Sequence, residues 1–400
     1  MKSNLYTLLL LLIFVTSGVY QSPIVQNQDT KHDDKGELML VQLLFRHGAR
    51  TPFWVYNNDV YKDFFWPEGL GMLTDDGKAL MYDYGLALNK RYRNYISTML
   101  PMNIISESSP IRRCIESDLA VMAGMFPPKH KITRSNNLLW QPIAVSTVEK
   151  ARSWKLNPDS PCPKAEQLEH DMTKTIPELR QFLEENTKFI NDLGKFTGEN
   201  FWAPDRGWLW VGYLYDTLVI EKNYFKNDYI APSWLNAVSN DTMERLKRFN
   251  DFSYEIYQKA PLEFIRLRAG TFFKDMLENL RSASNITVVN EKTKQIYTFA
   301  SHDTMINYIM IALGSFMGQP SYGSGPIIEL RRPRTQHNED EPQVYLYFGS
   351  ATNKNHISLI DLSKSNRFKA FCTKSHCPLS KFSEALVDVV EKNVELDCQV

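Results

Sequence analysis

The chain has little that would commit it to a metal, to nucleic acid or to a bilayer. Lysine plus arginine and aspartate plus glutamate number 46 each, a formal net charge of zero. No global field therefore favours nucleic acid or an anionic membrane, and any preference for anions has to be local. The five cysteines include no CxxC pair and the eight histidines no HxxxH pair, so the sequence points to no metal and no cofactor. No apolar run approaches the ~18 residues of a spanning helix, and the stretch from Val394 to Val400 carries no anchor.

What is present begins with a targeting segment. Lys2 precedes an apolar stretch, Leu5 to Val15, followed by Thr16-Ser17-Gly18. Residues 1–20 read as a signal peptide, and the mature chain is expected to be secreted, with the lysosomal lumen as the alternative. Secretion permits disulfides, and Cys372 and Cys377 are close enough for a local staple. Five cysteines leave at least one unpaired, and Cys114, on an apolar helical face, is read as a buried free thiol. Asn240 and Asn285 head glycosylation sequons. With 400 residues, 43% of them hydrophobic, the chain can bury a large core in one or two domains.

The organising stretch is residues 38–52, LMLVQLLFRHGARTP. Leu38 to Phe45 is mostly apolar with no helical spacing, which reads as a strand buried on both faces, the kind found in parallel sheets. Ligands of such sheets bind beyond the carboxyl ends of the strands. Arg46, His47 and Arg50 fall there, two guanidiniums flanking an imidazole, with Gly48 for the turn and Pro52 to end it.

Two later stretches repeat the pattern of strand end followed by helix. Ile104-Ile105 leads to Ser109 as a helix cap and Pro110 in the first turn, with Ile111, Ile115, Leu119, Met122 and Phe126 as the expected buried face. Arg112 and Arg113 both lie within a turn of that cap, where backbone N–H groups favour an anion; Arg113 is the better placed of the two. Ile296 to Ala300 runs into Ser301-His302-Asp303-Thr304 and another helix. Between them a short strand at Ile143 to Thr147 gives way, from about 156 to 284, to helices only, at 206–222, 241–258 and 261–281 among others. Thr74 is expected to cap a helix, and Ile327–Leu330 with Gln343–Phe348 to form a hairpin closing the sheet.

If the three strand ends converge, they bring together a nucleophile, an arginine cage and an acid. Planar guanidiniums match phosphate oxygens two at a time, imidazole can carry a transferred phosphoryl group, and Asp303 can protonate the leaving alkoxide. Cations near His47 disfavour its charged form, so it stays a neutral nucleophile in acid. The competition at Asp303, between arginines that lower its pKa and a bound phosphate that raises it, is left open by the sequence. The expected pH optimum lies below neutrality.

These residues resemble the histidine acid phosphatase branch of the histidine phosphatase superfamily. The family pattern R-H-G-x-R-x-P is matched by Arg46 to Pro52, and its later H-D by His302-Asp303; Trp66-Pro67, Phe126-Pro127-Pro128, Trp140-Gln141-Pro142 and Cys377-Pro378-Leu379 add to the likeness. It spans roughly residues 38–385. The resemblance implies an α/β fold: a mixed, largely parallel sheet flanked by helices, like that of phosphoglycerate mutase, with an inserted helical cap. It divides the chain into a core at 21–155 and 285–400 and a cap at 156–284. It also implies His47 as phosphoryl acceptor, Asp303 as proton donor, and Arg46, Arg50, Arg113 and His302 as phosphate ligands. Cys162–Cys398 and Cys372–Cys377 are the implied disulfides, and homodimers are common in the family. This chain departs from the family's R-S-T-D-x-x-R-T segment: Glu107 stands for the first arginine and Cys114 for the last threonine.

The leading expectation is a secreted acid phosphatase acting on small phosphomonoesters. A phytase or a lysophosphatidate phosphatase is the specialised alternative, although a phytase favours a strongly basic cap and residues 156–284 are not obviously basic. A secreted binding glycoprotein without activity is the third reading, and retention of all six candidate positions argues against it.

Overall fold

In the computed structural model, residues 35–128, 140–203, 207–334, 341–353 and 356–399 are described. The signal segment, His32, His130 and His337 lie outside them.

Strand β1 (Glu37–Arg46) is the centre of an eight-stranded sheet. Met39, Leu40, Val41, Leu43, Leu44 and Phe45 are each at most 1% exposed, and each buried side chain of this kind contributes about 1.5–3 kcal/mol. The run is continuous because both faces are covered. Leu40 and Leu44 pack into one apolar cluster, while Val41, Leu43 and Phe45 pack into another on the opposite face. Gln42, the one polar residue in the run, donates to the Met276 carbonyl and accepts from the Asn279 amide, so no polar atom is left stranded in the core.

The other strands are β2 (Ile104–Ser108), β3 (Val145–Ser146), β4 (Gln295–Ser301), β5 (Ser324–Arg332), β6 (Gln343–Ser350), β7 (His356–Leu359) and β8 (Cys377–Pro378). Their order is β3-β2-β4-β1-β5-β6-β7, with β8 added beside β6. The first four are parallel, and β5, β6 and β7 continue antiparallel. The sheet is therefore mixed and flanked by helices, as expected. The expected hairpin is the β5–β6 pair, while the strand expected at Ile143 to Thr147 shortens to two residues.

Helix α1 (Asp75–Arg91) starts at Thr74, whose hydroxyl accepts from the Gly77 amide, with Asp75 and Asp76 in its first turn. Two helices of four residues or more follow around β2: α2 (Arg93–Ile96) and α3 (Arg112–Met125). Two expectations for α3 fail. The helix begins at Arg112 with Ile111 at its cap, so neither Ser109 nor Pro110 is part of it. Its buried face is Cys114, Ser117, Asp118, Val121, Met122 and Met125, whereas Ile111, Ile115 and Leu119 are only half-buried. The cause is a glycine crossing. A Cβ on Gly85 would lie 2.3 Å from the Val121 carbonyl oxygen, and one on Gly124 would lie 2.2 Å from that of Tyr82. The two backbones touch there, and that contact fixes which side of α3 faces in.

From Pro163 onward come α4 (Pro163–Thr175), α5 (Pro177–Glu185), α6 (Thr187–Thr197), α7 (Leu209–Phe225), α8 (Trp234–Val238), α9 (Thr242–Glu255) and α10 (Leu262–Ser284). Phe189, Ile190, Leu193, Val211, Leu214, Leu218, Leu246 and Phe249 form a separate apolar cluster among α6, α7 and α9. By contrast, Phe272, Phe273, Met276 and Leu277 of α10 join the main cluster against the sheet. Helix α11 (Asp303–Ala312) follows β4 and buries Met305, Ile306 and Ile309. Disulfides join Cys162 to Cys398 and Cys372 to Cys377, and Cys114 is a buried free thiol. Asn240 and Asn285 are both exposed. No helix among the described residues is long and apolar enough to cross a membrane.

Candidate active site

Strand register brings the three motifs together. Arg46 pairs with Ser301 and Ser108 with Ala300, so the carboxyl ends of β1, β2 and β4 lie side by side. The next residues are His47, Ser109 and His302. Pairing continues one step past the strands, with the His47 amide donating to the Ser301 carbonyl and the Ser109 amide to that of Ala300. All six candidate residues gather here, and His47, Arg50, Arg113, His302 and Asp303 line one cavity of about 160 Å³. Gly48 is required by close approach rather than by its backbone angle: a Cβ there would sit 2.6 Å from the Gly77 carbonyl oxygen.

His47 is 2% exposed, and its pKa is lowered well below the ordinary value, by burial first and then by Arg113 and Arg46. Its Nδ1 lies 2.8 Å from the Gly48 carbonyl oxygen, which can only accept. Nδ1 therefore carries the proton, and the lone pair of the neutral ring is on Nε2.

Around it stand three arginines. Arg46 donates to the Pro320 carbonyl at 2.6 Å, pairs with Asp303 at 2.6 Å and lies over the Tyr322 ring at 4.3 Å. Arg50 pairs with Asp216 at 2.9 Å and donates to its neighbour Thr51. Arg113 reaches the Gly71 carbonyl and the Nδ1 of His302. Arg112 instead points outward, 73% exposed, and pairs with Glu116. In all three inward arginines the Nε–H donor is buried and has no hydrogen-bond partner among the described residues. Three unpartnered cationic donors near one imidazole suit an anion with several oxygens.

Asp303 is the first residue of α11, and its carboxylate accepts from the Thr304 amide at 2.8 Å. Burial opposes its charge, but Arg46 and Arg50 outweigh burial and hold it down at about 2. Without phosphate only the arginine side of that competition acts, and it favours the ionised carboxylate. His302 is driven down to about 3, by burial and then Arg113. Glu107, where the family has an arginine, is paired with Lys155, which also bonds Asp275 at 2.7 Å. One lysine thus serves two carboxylates, Glu107 and Asp275.

Several pocket residues escaped the sequence reading. Asp216 and Tyr213 come from α7, Tyr254 from α9, and Tyr322 from the turn before β5. Asp216 did leave a signal, a lone carboxylate in the apolar helical run from Leu209 to Ile220. Beyond Asp216, which pairs with Arg50, the rest of the lining is acidic and aromatic: Asp159 and Glu169 stand with one further arginine, Arg268. Arg268 itself is committed to the carbonyls of Pro158 and Ser160 at 3.1 Å. Among the described residues no group of three or more His, Cys, Asp or Glu side chains is arranged to hold a metal.

The model of the histidine phosphatase superfamily (branch 2) matches residues 37–344. Human lysosomal acid phosphatase is 30% identical over 370 residues, covering 91% of this chain and 80% of its own. Bovine prostatic acid phosphatase is 29% identical over 371 residues, 91% of this chain and 88% of its own. Among solved structures, Citrobacter braakii phytase aligns with a TM-score of 0.61 at 16% identity, covering 91% of this chain and all of that one. The multiple inositol polyphosphate phosphatase of Bifidobacterium longum aligns at 0.52 and 11% identity, covering 96% of this chain. The last two likenesses concern the fold alone.

Proposed function

This chain belongs to branch 2 of the histidine phosphatase superfamily, and from that premise we propose that it is an acid phosphatase that hydrolyses phosphomonoesters through a phosphohistidine at His47. The observation that carries the reading is the ring of three buried, unpartnered arginine Nε–H donors around a neutral imidazole with its lone pair on Nε2. The arginines and His302 hold the phosphoryl oxygens and offset the charge that develops on them. Nε2 of His47 attacks phosphorus in line; the P–N bond forms as the P–O bond to the alcohol breaks. Asp303 delivers a proton to the departing oxygen. In the second half it takes a proton from the attacking water, the P–N bond breaks, and inorganic phosphate leaves.

Asp303 is ionised in the free protein, so it has to gain its proton when substrate binds. A phosphoryl dianion between Arg46 and Arg50 cancels the charges that hold the carboxyl down. That proton is easier to acquire in acid, which is the physical reason for an optimum below neutrality. His47 works against no such limit, because it remains neutral well below its ordinary pKa.

We read residues 156–284 as the cap that frames the leaving group, supplying Asp216, Tyr213 and Tyr254. Its acidic lining supports small phosphomonoesters over inositol polyphosphates, whose remaining phosphates would face Asp159 and Glu169. The two disulfides and the N-terminal apolar segment support a secreted or lysosomal destination. Exposed Asn240 and Asn285 are then glycosylation acceptors. Assembly as a homodimer is part of the same proposal, checked by sedimentation. The functional test is hydrolysis of p-nitrophenyl phosphate at pH 5 by the intact protein and by His47→Ala. Loss of turnover in the variant supports the reading, and equal rates would sink it.

A further inference from the structure

The hydrogen bonds of His302, like those of His47, fix its ring proton. Its Nδ1 lies 3.2 Å from Nη2 of Arg113, another residue of the cavity lining, and a guanidinium can only donate. Nδ1 is therefore unprotonated in the free protein, and the single ring proton is on Nε2. Nε2 lies 2.8 Å from the hydroxyl of Ser109, a residue with no exposed surface. Beneath the ring the Cys114 sulfur lies 3.5 Å from the same Nε2, and the Cys114 thiol donates to the Ser301 carbonyl. Burial pushes that thiol up to about 12, so it keeps its proton throughout the acid range.

The free oxygens of a phosphoryl dianion accept and cannot donate, so the bare Nδ1 of the free state cannot bind them. Exchanging tautomers would require the buried Ser109 hydroxyl to reverse from acceptor to donor, whereas adding a proton at Nδ1 leaves that bond as it is. We propose that Ser109 is a positioning residue that keeps the Nε2 proton of His302 in place, so that phosphate binding adds a second proton at Nδ1 and makes His302 a charged donor. The proton comes from the medium: one N–H bond forms at Nδ1, none breaks at Nε2, and the Arg113 contact to Nδ1 opens as Arg113 turns to the phosphate. Phosphate affinity is then linked to uptake of this proton. The inference rests on the phosphatase reading above.

The test combines spectroscopy and kinetics on the full-length protein. With 15N-labelled histidine, His302 should report a neutral ring protonated at Nε2, and a doubly protonated ring once inorganic phosphate is bound. A ring protonated at Nδ1 in the free protein, or one that stays neutral with phosphate bound, overturns the proposal. Ser109→Ala should raise KM for p-nitrophenyl phosphate and the inhibition constant of phosphate by roughly 10-fold, flatten the pH dependence of both, and change kcat less. Ser109→Thr, which keeps the hydroxyl, should restore the wild-type values. If Ser109→Ala lowers thermal stability alone, with KM and its pH dependence unchanged, Ser109 is merely structural. His47→Ala in parallel separates the two claims, since turnover surviving in that variant removes the phosphatase reading itself.

Discussion

Replacing Asp303 by asparagine preserves the shape of the side chain while removing both its charge and its proton. In the free protein the carboxyl sits at about 2, against an ordinary value of 3.8. A difference of that size corresponds to about 2 kcal/mol at 1.36 kcal/mol per unit. Because the folded-state value is depressed, the contribution is fully present above about pH 4 and is lost as pH falls towards 2. Wild type should therefore exceed Asp303→Asn in urea-unfolding stability by about 2 kcal/mol at pH 5–6, with the gap closing near pH 2. The kinetic consequence depends on the leaving group. An alkyl phosphate expels a strongly basic alkoxide and needs the proton, so its kcat/KM should fall by roughly 10²–10⁴-fold. p-Nitrophenolate departs without protonation, and its loss in kcat/KM should be far smaller. kcat/KM reports the half-reaction up to departure of the alcohol, so its values on a series of alkyl and aryl phosphates decide the matter. Equal losses in kcat/KM across the series would refute the assignment of Asp303 as proton donor.

Arg113→Ala should cost orders of magnitude in kcat/KM, while Arg112→Ala, which loses only an exposed pair with Glu116, should change it by less than about 2-fold; similar effects would void the outward placement of Arg112. Inositol hexakisphosphate should be turned over far more slowly than p-nitrophenyl phosphate, and Asp159→Asn should narrow that ratio; a rate ratio near one would contradict the acidic-wall argument. Cys398→Ser opens a closed segment with a sequence separation of 236, and chain entropy sets its cost at about 5 kcal/mol, against about 2 kcal/mol for Cys372→Ser, where the separation is 5. Chemical denaturation of the two variants should rank them in that order, and the reverse ranking would count against the chain-entropy account.

How much of this was legible depended on whether the deciding contact was local. β1 was readable because burial on both faces writes a continuous apolar run, and the turn after it places its charges in order along the chain. Thr74 was readable because a cap bonds three residues ahead. The start of α3 was not, because Ser109 looks like a cap but its hydroxyl is committed to His302, 193 residues away. The buried face of α3 was misjudged for a similar reason. Periodicity favoured the isoleucine ridge, whereas the contact of Gly85 with Gly124 turns the smaller Cys114–Ser117–Val121 side inward. Asp216 stayed hidden because its partner, Arg50, is 166 positions earlier. The ionisation of Asp303 could not be settled from residue types, since it turns on a 2.6 Å distance to Arg46. The motif itself needed no such information: its residues sit at the ends of strands whose pairing follows from their own apolar runs.

The central claim is that the phosphoryl group passes through His47. Mixing the protein with a phosphomonoester at acid pH, quenching in alkali to preserve phosphohistidine, and mapping the modified peptide by mass spectrometry tests it directly. The account predicts phosphate on the peptide containing His47, formed and lost within a turnover and absent from His47→Ala. Efficient turnover with an unmodified His47 peptide, or phosphate carried by a different residue, would contradict it.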